Sequence, residues 1–174
     1  MSPPWHNDNA PENQFTRMVG AYGYTSQLWV NSTHTKVAKC VQKFHTRSVV
    51  EREIYWGQLC TGPHFVQLLD HRKNWLLFEY GGEPVSPKNL PLNWKEQVAE
   101  IMQALDTVSC SHNDLLASNV LVKDGILIVI DFQWASLGND MTCGIGLDGR
   151  KKLHGITNNL VSSLAPFDHA QLVL

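Results

Sequence analysis

Four polar residues stand at fixed spacing around an apolar hairpin in the stretch SHNDLLASNVLVKDGILIVIDFQWAS: His112, Asp114, Asn119 and Asp131. NVLVK and ILIVIDF read as strands, and the Asp124-Gly125 between them is a strong signal for a two-residue turn. Asp114 and Asn119 lie in the loop that enters the hairpin and Asp131 ends its second strand, so pairing of the strands gathers all three at one end. The result is an oxygen-rich pocket of two carboxylates and an amide. Such hard ligands suit Mg²⁺, which takes a few protein oxygens together with substrate phosphates. The bland alternative is that these residues only cap loops and form turns.

The elements that must hold this end of the hairpin in place are legible upstream. FTRMV, SQLWV and KVAKCVQKF read as three antiparallel strands joined by the turns GAYGY and NSTHT. SVVEREIYWGQL has helical spacing and is stopped by TGPH. FVQLLD and NWLLFEY are two further strands around HRKN, and GGEPVSPKNLP reads as a linker. NWKEQVAEIMQALDTV sets Trp94, Val98, Ile101, Met102 and Leu105 on one helical face, starting near Leu92 or Asn93. The last stretch, DGRKKLHGITNNLVSSLAPFDHAQLVL, is expected to hold one or two short helices.

A length of 174 residues with 43% hydrophobic content is enough for a real core. With 14 Lys plus Arg against 16 Asp plus Glu, no global field draws the chain to nucleic acid or an anionic membrane. The basic residues Lys36, Lys39, Lys43, Arg47 and Arg52 are only a local patch. No apolar run approaches the ~18 residues that span a bilayer. MSPPWHNDNAPENQ lacks the basic start and apolar stretch of a signal peptide and reads as a loose arm, so a cytoplasmic location is expected. Cys40, Cys60, Cys110 and Cys143 are widely spaced without a C-x-x-C pair and read as free thiols.

His112-Asn113-Asp114, then Asn119, then Asp131-Phe132 resemble the H-x-D-x-x-x-x-N and D-F-G elements of the protein-kinase-like superfamily. In wording, HNDLL and IDFQWA are most similar to the choline, ethanolamine and aminoglycoside kinases. The resemblance implies Asp114 as the base toward an acceptor hydroxyl and Asn119 and Asp131 as Mg²⁺ ligands, with His112 bracing the loop. It continues upstream in the expected order. GAYGY resembles the second half of the glycine loop, which gives Gly20, Tyr22 and Gly23 a phosphate-binding role; a plain hairpin turn is the rival. KVAKCV resembles V-A-I-K and makes Lys39 the phosphate-binding lysine, with Lys43 on the same strand face as alternative. EREI resembles the first kinase helix, with Glu53 rather than Glu51 as partner of the lysine. LLFEYG resembles the hinge, with Phe78 as gatekeeper and Glu79 to Gly81 offering backbone groups to adenine.

The resemblance covers about residues 15 to 140 and implies an α+β, two-lobed protein-kinase-like fold. It would comprise an arm (1–14), an N-lobe with a five-stranded antiparallel sheet and one helix (15–80), a hinge or linker (81–91) and a reduced helical C-lobe (92–174). The implied activity is transfer of the γ-phosphate of ATP, with Mg²⁺, to a hydroxyl of a small molecule or protein. The alternative is a kinase-like binding module acting through a protein partner. Three departures stand out: Met18 occupies the first glycine position, Gln133 follows Asp131-Phe132, and no A-P-E element appears in the short stretch that follows. Leu116 occurs where Ser/Thr kinases carry a lysine, which favours a small-molecule acceptor. Only 34 residues follow Asp140, so the apolar face of the 94–107 helix is expected to be thinly covered and completed by self-association or a partner protein.

Overall fold

The computed structural model describes residues 1–23, 26–42, 46–138 and 159–170, with side chains except at 20–23, 46–48 and 169–170. Lys43, Cys143 and most of the expected C-terminal helical region lie outside the described residues. The fold is α+β. Strands β1 (Phe15–Gly23), β2 (Ser26–Asn31) and β3 (Lys36–Val41) are followed by helix α1 (Thr46–Leu59), then β4 (Leu68–Arg72) and β5 (Trp75–Glu79). These strands form one antiparallel sheet in the order β1-β2-β3-β5-β4.

Period-two alternation divides the sheet into two apolar faces. Phe15, Ala38, Cys40, Trp75 and Leu77 cluster on one face with Trp5 and Trp29 against them. Val41, Leu76 and Phe78 face the other way and pack on Val49 and Val50 of α1. Lys39 shares its strand face with Val41, so alternation alone turns its side chain toward α1. Of the expected turn GAYGY, Gly20 to Gly23 are instead the end of β1, and Tyr24 lies outside the described residues: Tyr22 and Gly23 pair with Gln27 and Ser26, and a register shift between Arg17 and Tyr22 absorbs the irregularity.

The N-terminal segment, expected as a loose arm, is hydrogen-bonded to the sheet. The Trp5 indole N–H donates to Asp70 (2.7 Å), the Phe15 N–H donates to His6 Nδ1 (3.0 Å), and the Arg72 guanidinium lies over the Trp5 ring. Trp5 has an apolar cluster to cover, which composition alone did not reveal.

Strand β6 (Glu83–Pro84), helix α2 (Trp94–Thr107), β7 (Cys110–Ser111), the hairpin β8 (Val120–Lys123) and β9 (Ile126–Val129), β10 (Ser136–Leu137) and α3 (Leu160–Ala170) make up the rest. Asp124 and Gly125 both have positive φ, as the tight hairpin turn requires. The linker is not free of structure: Glu83 and Pro84 pair with Val122 and Leu121. That pairing depends on Gly82, whose φ is +100° and whose Cβ, were there one, would lie 2.1 Å from the Val122 carbonyl oxygen. FVQLLD is strand only from Leu68, because Val66 N–H donates to Val129 O and diverts the chain to the hairpin.

The largest core lies around α2. Trp94, Val98, Ile101 and Leu105 are all buried together with Leu115, Leu127, Leu160 and Leu164. The apolar face of α2 is therefore covered within the chain, which corrects the expectation that it is thinly covered. Gln97 fastens the helix to the hairpin, donating to Gly125 O (2.9 Å) and accepting from Leu127 N–H (2.8 Å). Among the described residues no helix is long and apolar enough to cross a membrane.

Candidate active site

Lys39 meets two carboxylates. Its Nζ donates to Glu53 of α1 and to Asp131 Oδ1 at 2.9 Å, in the loop after β9. The Lys39 and Glu53 side chains are almost fully buried and that of Asp131 is 23% exposed. Helical spacing explains Glu53: Val49, Val50, Glu53 and Trp56 form the inward face of α1, whereas Glu51 is exposed. A second bond ties the same helix to the same loop, from Arg52 Nη1 to Gln133 O (2.9 Å), and Gln133 Nε2 in turn donates to Asp131 Oδ2 (3.3 Å).

Asp131 was expected to end a strand; β9 stops at Val129, and Asp131 follows in a left-handed conformation with φ +68°. Asn113, beside Asp114, has φ +64°. Asp and Asn are the non-glycine residues that adopt this region most readily, so residue type and backbone agree at both points. Asn113 is further held by its Nδ2, which donates to Trp134 O and Ser136 Oγ, both at 2.9 Å.

Asp114 and Asn119 form a second unit. Asn119 Nδ2 donates to the Asp114 carbonyl (2.7 Å) and to its Oδ2 (2.9 Å), which fixes the carboxylate relative to the single helical turn Ala117–Asn119. His112 joins the two units. Asp114 N–H donates to His112 Nδ1 (3.3 Å), so the proton sits on Nε2, which donates to Ile130 O (3.0 Å). The ring packs at a tilt against Phe132, 4.8 Å between centroids. Burial lowers the His112 pKa, and the neutral ring serves as a brace.

Sequence reasoning missed Ser163 on α3. Its Oγ accepts from Ala117 N–H and donates to Leu160 O, both at 2.9 Å, and so pins the turn that carries Asn119. A serine in a polar-looking C-terminal stretch gave no signal of this. Arg52 was read only as part of a basic patch.

The remaining expected residues are distributed as follows. Phe78 is buried between β5 and α1. Of the 79–81 backbone donors, Glu79 N–H is taken by Gln67 O and Tyr80 N–H by Thr35 O, whereas Gly81 N–H has no partner among the described residues. Gly81 packs against Leu121 and Ile128 of the hairpin. Gly20, Tyr22 and Gly23 lie in β1, and their side-chain surroundings are outside the described residues.

One ammonium opposes two carboxylates in the triad, so it lacks positive charge. Burial, with Asp131 adding to it, pushes Glu53 up to about 7 against the pull of Lys39. Burial works against the Asp131 charge as well, but Lys39 outweighs it and holds that carboxyl below its usual range. Among the described residues no group of three or more His, Cys, Asp or Glu is arranged to hold a metal ion. Asp131, Asn119 and Asp114 carry oxygens of the hard type that Mg²⁺ takes together with water and substrate oxygens. The charge deficit fits such an ion.

The Glu53 shift makes stability depend on pH. A carboxyl raised in the folded state from 4.5 to about 7 binds a proton that the unfolded chain has released, so its contribution is full below pH 4.5 and lost as pH rises through about 7. His112, lowered from 6.5, acts oppositely in part of that window. The measurable quantity is therefore a difference: urea stability of the wild type minus that of Glu53→Gln should fall between pH 4.5 and 7 and level off above. A difference that is flat across that range would contradict the assignment.

No family model matches the sequence, and no curated protein is significantly similar to it.

Proposed function

We propose that this chain is an ATP- and Mg²⁺-dependent phosphotransferase of two-lobed, protein-kinase-like architecture that acts on a hydroxyl. The observation that carries the reading is the double contact of Lys39 with Glu53 and Asp131, residues 14 and 92 positions away. A lysine held between a helix carboxylate and a loop carboxylate, with a separately fixed Asp114, is an arrangement for positioning phosphates next to a base. Bonding to Glu53 keeps the ammonium directed into the site, and Asn119 fixes the plane of the Asp114 carboxylate. Phe78, Glu79 and Gly81 would border the adenine, with Gly81 N–H as the available donor.

In the reaction the acceptor oxygen attacks the γ-phosphorus, the bond to the bridging oxygen of ADP breaks, and the hydroxyl proton passes to Asp114. Asp131 and Asn119 would hold Mg²⁺, which supplies neutralisation of phosphate charge when bound. The protein's own part is positioning and electrostatics. Leu116 leaves no cation between Asp114 and Asn119, which favours a small-molecule acceptor over protein Ser or Thr.

One observation favours a second reading, a kinase-like module that works through a protein partner: Lys39 bonds Asp131 directly, where an ion would have to compete. Nucleotide binding and turnover separate the two. A ligand at a hundredfold excess over its Kd adds about 2.7 kcal/mol, so ATP with Mg²⁺ should raise Tm by about 5–10 °C, and most of that rise should vanish in Asp131→Ala. Folded wild type that shows no shift at millimolar nucleotide would refute the nucleotide site. Labelled ATP supplied with alcohols and amino-alcohols, and separately with denatured protein, identifies the acceptor; label on protein Ser or Thr alone would overturn the small-molecule preference, and binding without any transfer would select the module.

A further inference from the structure

The Asp131 carboxylate is held at both oxygens. Oδ1 accepts from the Lys39 ammonium (2.9 Å), and Oδ2 accepts from the Gln133 amide Nε2 (3.3 Å). Only the NH₂ end of an amide can donate to a carboxylate, so chemistry fixes the direction of the second bond. The phosphotransfer reading gives Lys39 a part and Gln133 none, yet Gln133 is buried and built into place. The three residues after Asp131 are each fastened. Phe132 packs against the His112 ring, the Gln133 carbonyl accepts from Arg52 Nη1 of α1 (2.9 Å), and the Trp134 carbonyl accepts from Asn113 Nδ2 (2.9 Å). Gln133 therefore reaches Asp131 from a backbone that α1 itself holds.

We infer that Gln133 is a positioning residue for the cation: it fixes the plane of the Asp131 carboxylate and keeps Oδ2, the oxygen that Lys39 does not hold, directed for ligation. The inference rests on the phosphotransfer reading in one respect, that Asp131 is a cation ligand. The terminal torsion of an aspartate is broad, so a single bond at Oδ1 restrains the carboxylate weakly, and the bond at Oδ2 supplies the second point. The ammonium at Oδ1 repels a cation, whereas the donor at Oδ2 is neutral. A carboxylate has about four lone-pair sites, so these two donors do not exhaust it, and Gln133 can stay bonded while an ion is held. Partners of this kind orient metal-ligating groups, and losing one typically costs about 10- to 100-fold in metal affinity. In the D-F-G element that Asp131-Phe132 resembles, the position of Gln133 is glycine, which has no side chain to give.

The probe is Mn²⁺, which takes the same oxygen ligands as Mg²⁺ and whose free aquo ion is counted by electron paramagnetic resonance. Titrated into the folded full chain without nucleotide, it should bind the wild type and lose that binding in Asp131→Ala. Gln133→Met keeps the side-chain length without the donor, and Gln133→Asn keeps an amide one carbon too short to reach Oδ2. Each should raise the Mn²⁺ Kd about 10- to 100-fold, with ATP affinity in EDTA within a few-fold of wild type. A general disturbance of the site would weaken both ligands together, and that result would overturn the inference. So would wild-type Mn²⁺ affinity in either folded variant, or no Mn²⁺ bound by the wild type at millimolar concentration. Mn²⁺ binding that depends on Gln133 in a protein that binds no ATP would sustain the inference and refute the phosphotransfer reading. If neither variant folds, the wild type decides: the ¹⁵N-labelled side-chain amide of Gln133 should shift as Mg²⁺ is added, and an unmoved signal at saturation would overturn the inference.

Discussion

Asp114→Asn should leave binding of ATP with Mg²⁺ within a few-fold of wild type and lower phosphoryl transfer by about 10²- to 10⁴-fold, the usual effect of losing a positioned base. The substitution isolates proton acceptance because it preserves the bonds to Asn119 and His112. Asn119 Nδ2 donates to the Asp114 carbonyl, which is unchanged, and to Oδ2, which an asparagine amide oxygen can replace. His112 still receives the backbone N–H of residue 114. The loop therefore has no reason to move, and a loss of rate without a loss of nucleotide affinity belongs to the chemical step. Single-turnover transfer measured beside equilibrium nucleotide binding gives both numbers. Full turnover in the variant would remove Asp114 from the chemistry, whereas a parallel collapse of binding would make it structural.

Residues whose environment follows from local periodicity were legible in the sequence. Strand alternation puts Lys39 on the face of Val41 that turns toward α1, a face Lys43 would share, and Glu53 lies on the inward helical face of Val49 and Trp56; the choice of Lys39 and Glu53 over Lys43 and Glu51 came from the motif resemblance. The hairpin turn at Asp124-Gly125 needed nothing beyond its two residues. What stayed illegible depends on contacts between segments far apart in sequence. Ser163 reaches Ala117 across 46 residues, and Trp5 reaches Asp70 across 65. Neither residue carries a local pattern that distinguishes it from ordinary surface. The left-handed backbone at Asn113 and Asp131 is an intermediate case: the residue types permit it, but only the packed loops require it. Likewise Phe65 looks like the start of a strand until the Val129 backbone competes for its neighbour Val66.

Lys39→Met should destabilise the protein by about 3–5 kcal/mol at pH 8, the range found when one member of a buried ion pair is removed. Methionine fills much of the lysine volume without its charge, so the effect is electrostatic more than a packing loss. Glu53, almost wholly buried, and Asp131, largely so, would then face each other with no cation from Lys39 between them. The structure already shows the direction of that conflict, since Asp131 helps push Glu53 up while Lys39 pulls it down. Without Lys39 the carboxyl titrates higher still, and protonation of Glu53 at pH 5 should recover part of the loss. Adding Glu53→Gln removes one of the opposed charges by substitution instead of protonation. The double variant should therefore be more stable at pH 8 than Lys39→Met alone, with a coupling that shrinks toward pH 5. Urea unfolding of the four proteins at both pH values measures this cycle. If Lys39→Met costs under about 1 kcal/mol at pH 8 and the second substitution restores nothing, the three groups are not electrostatically coupled, and the contact that carries the functional reading loses its force.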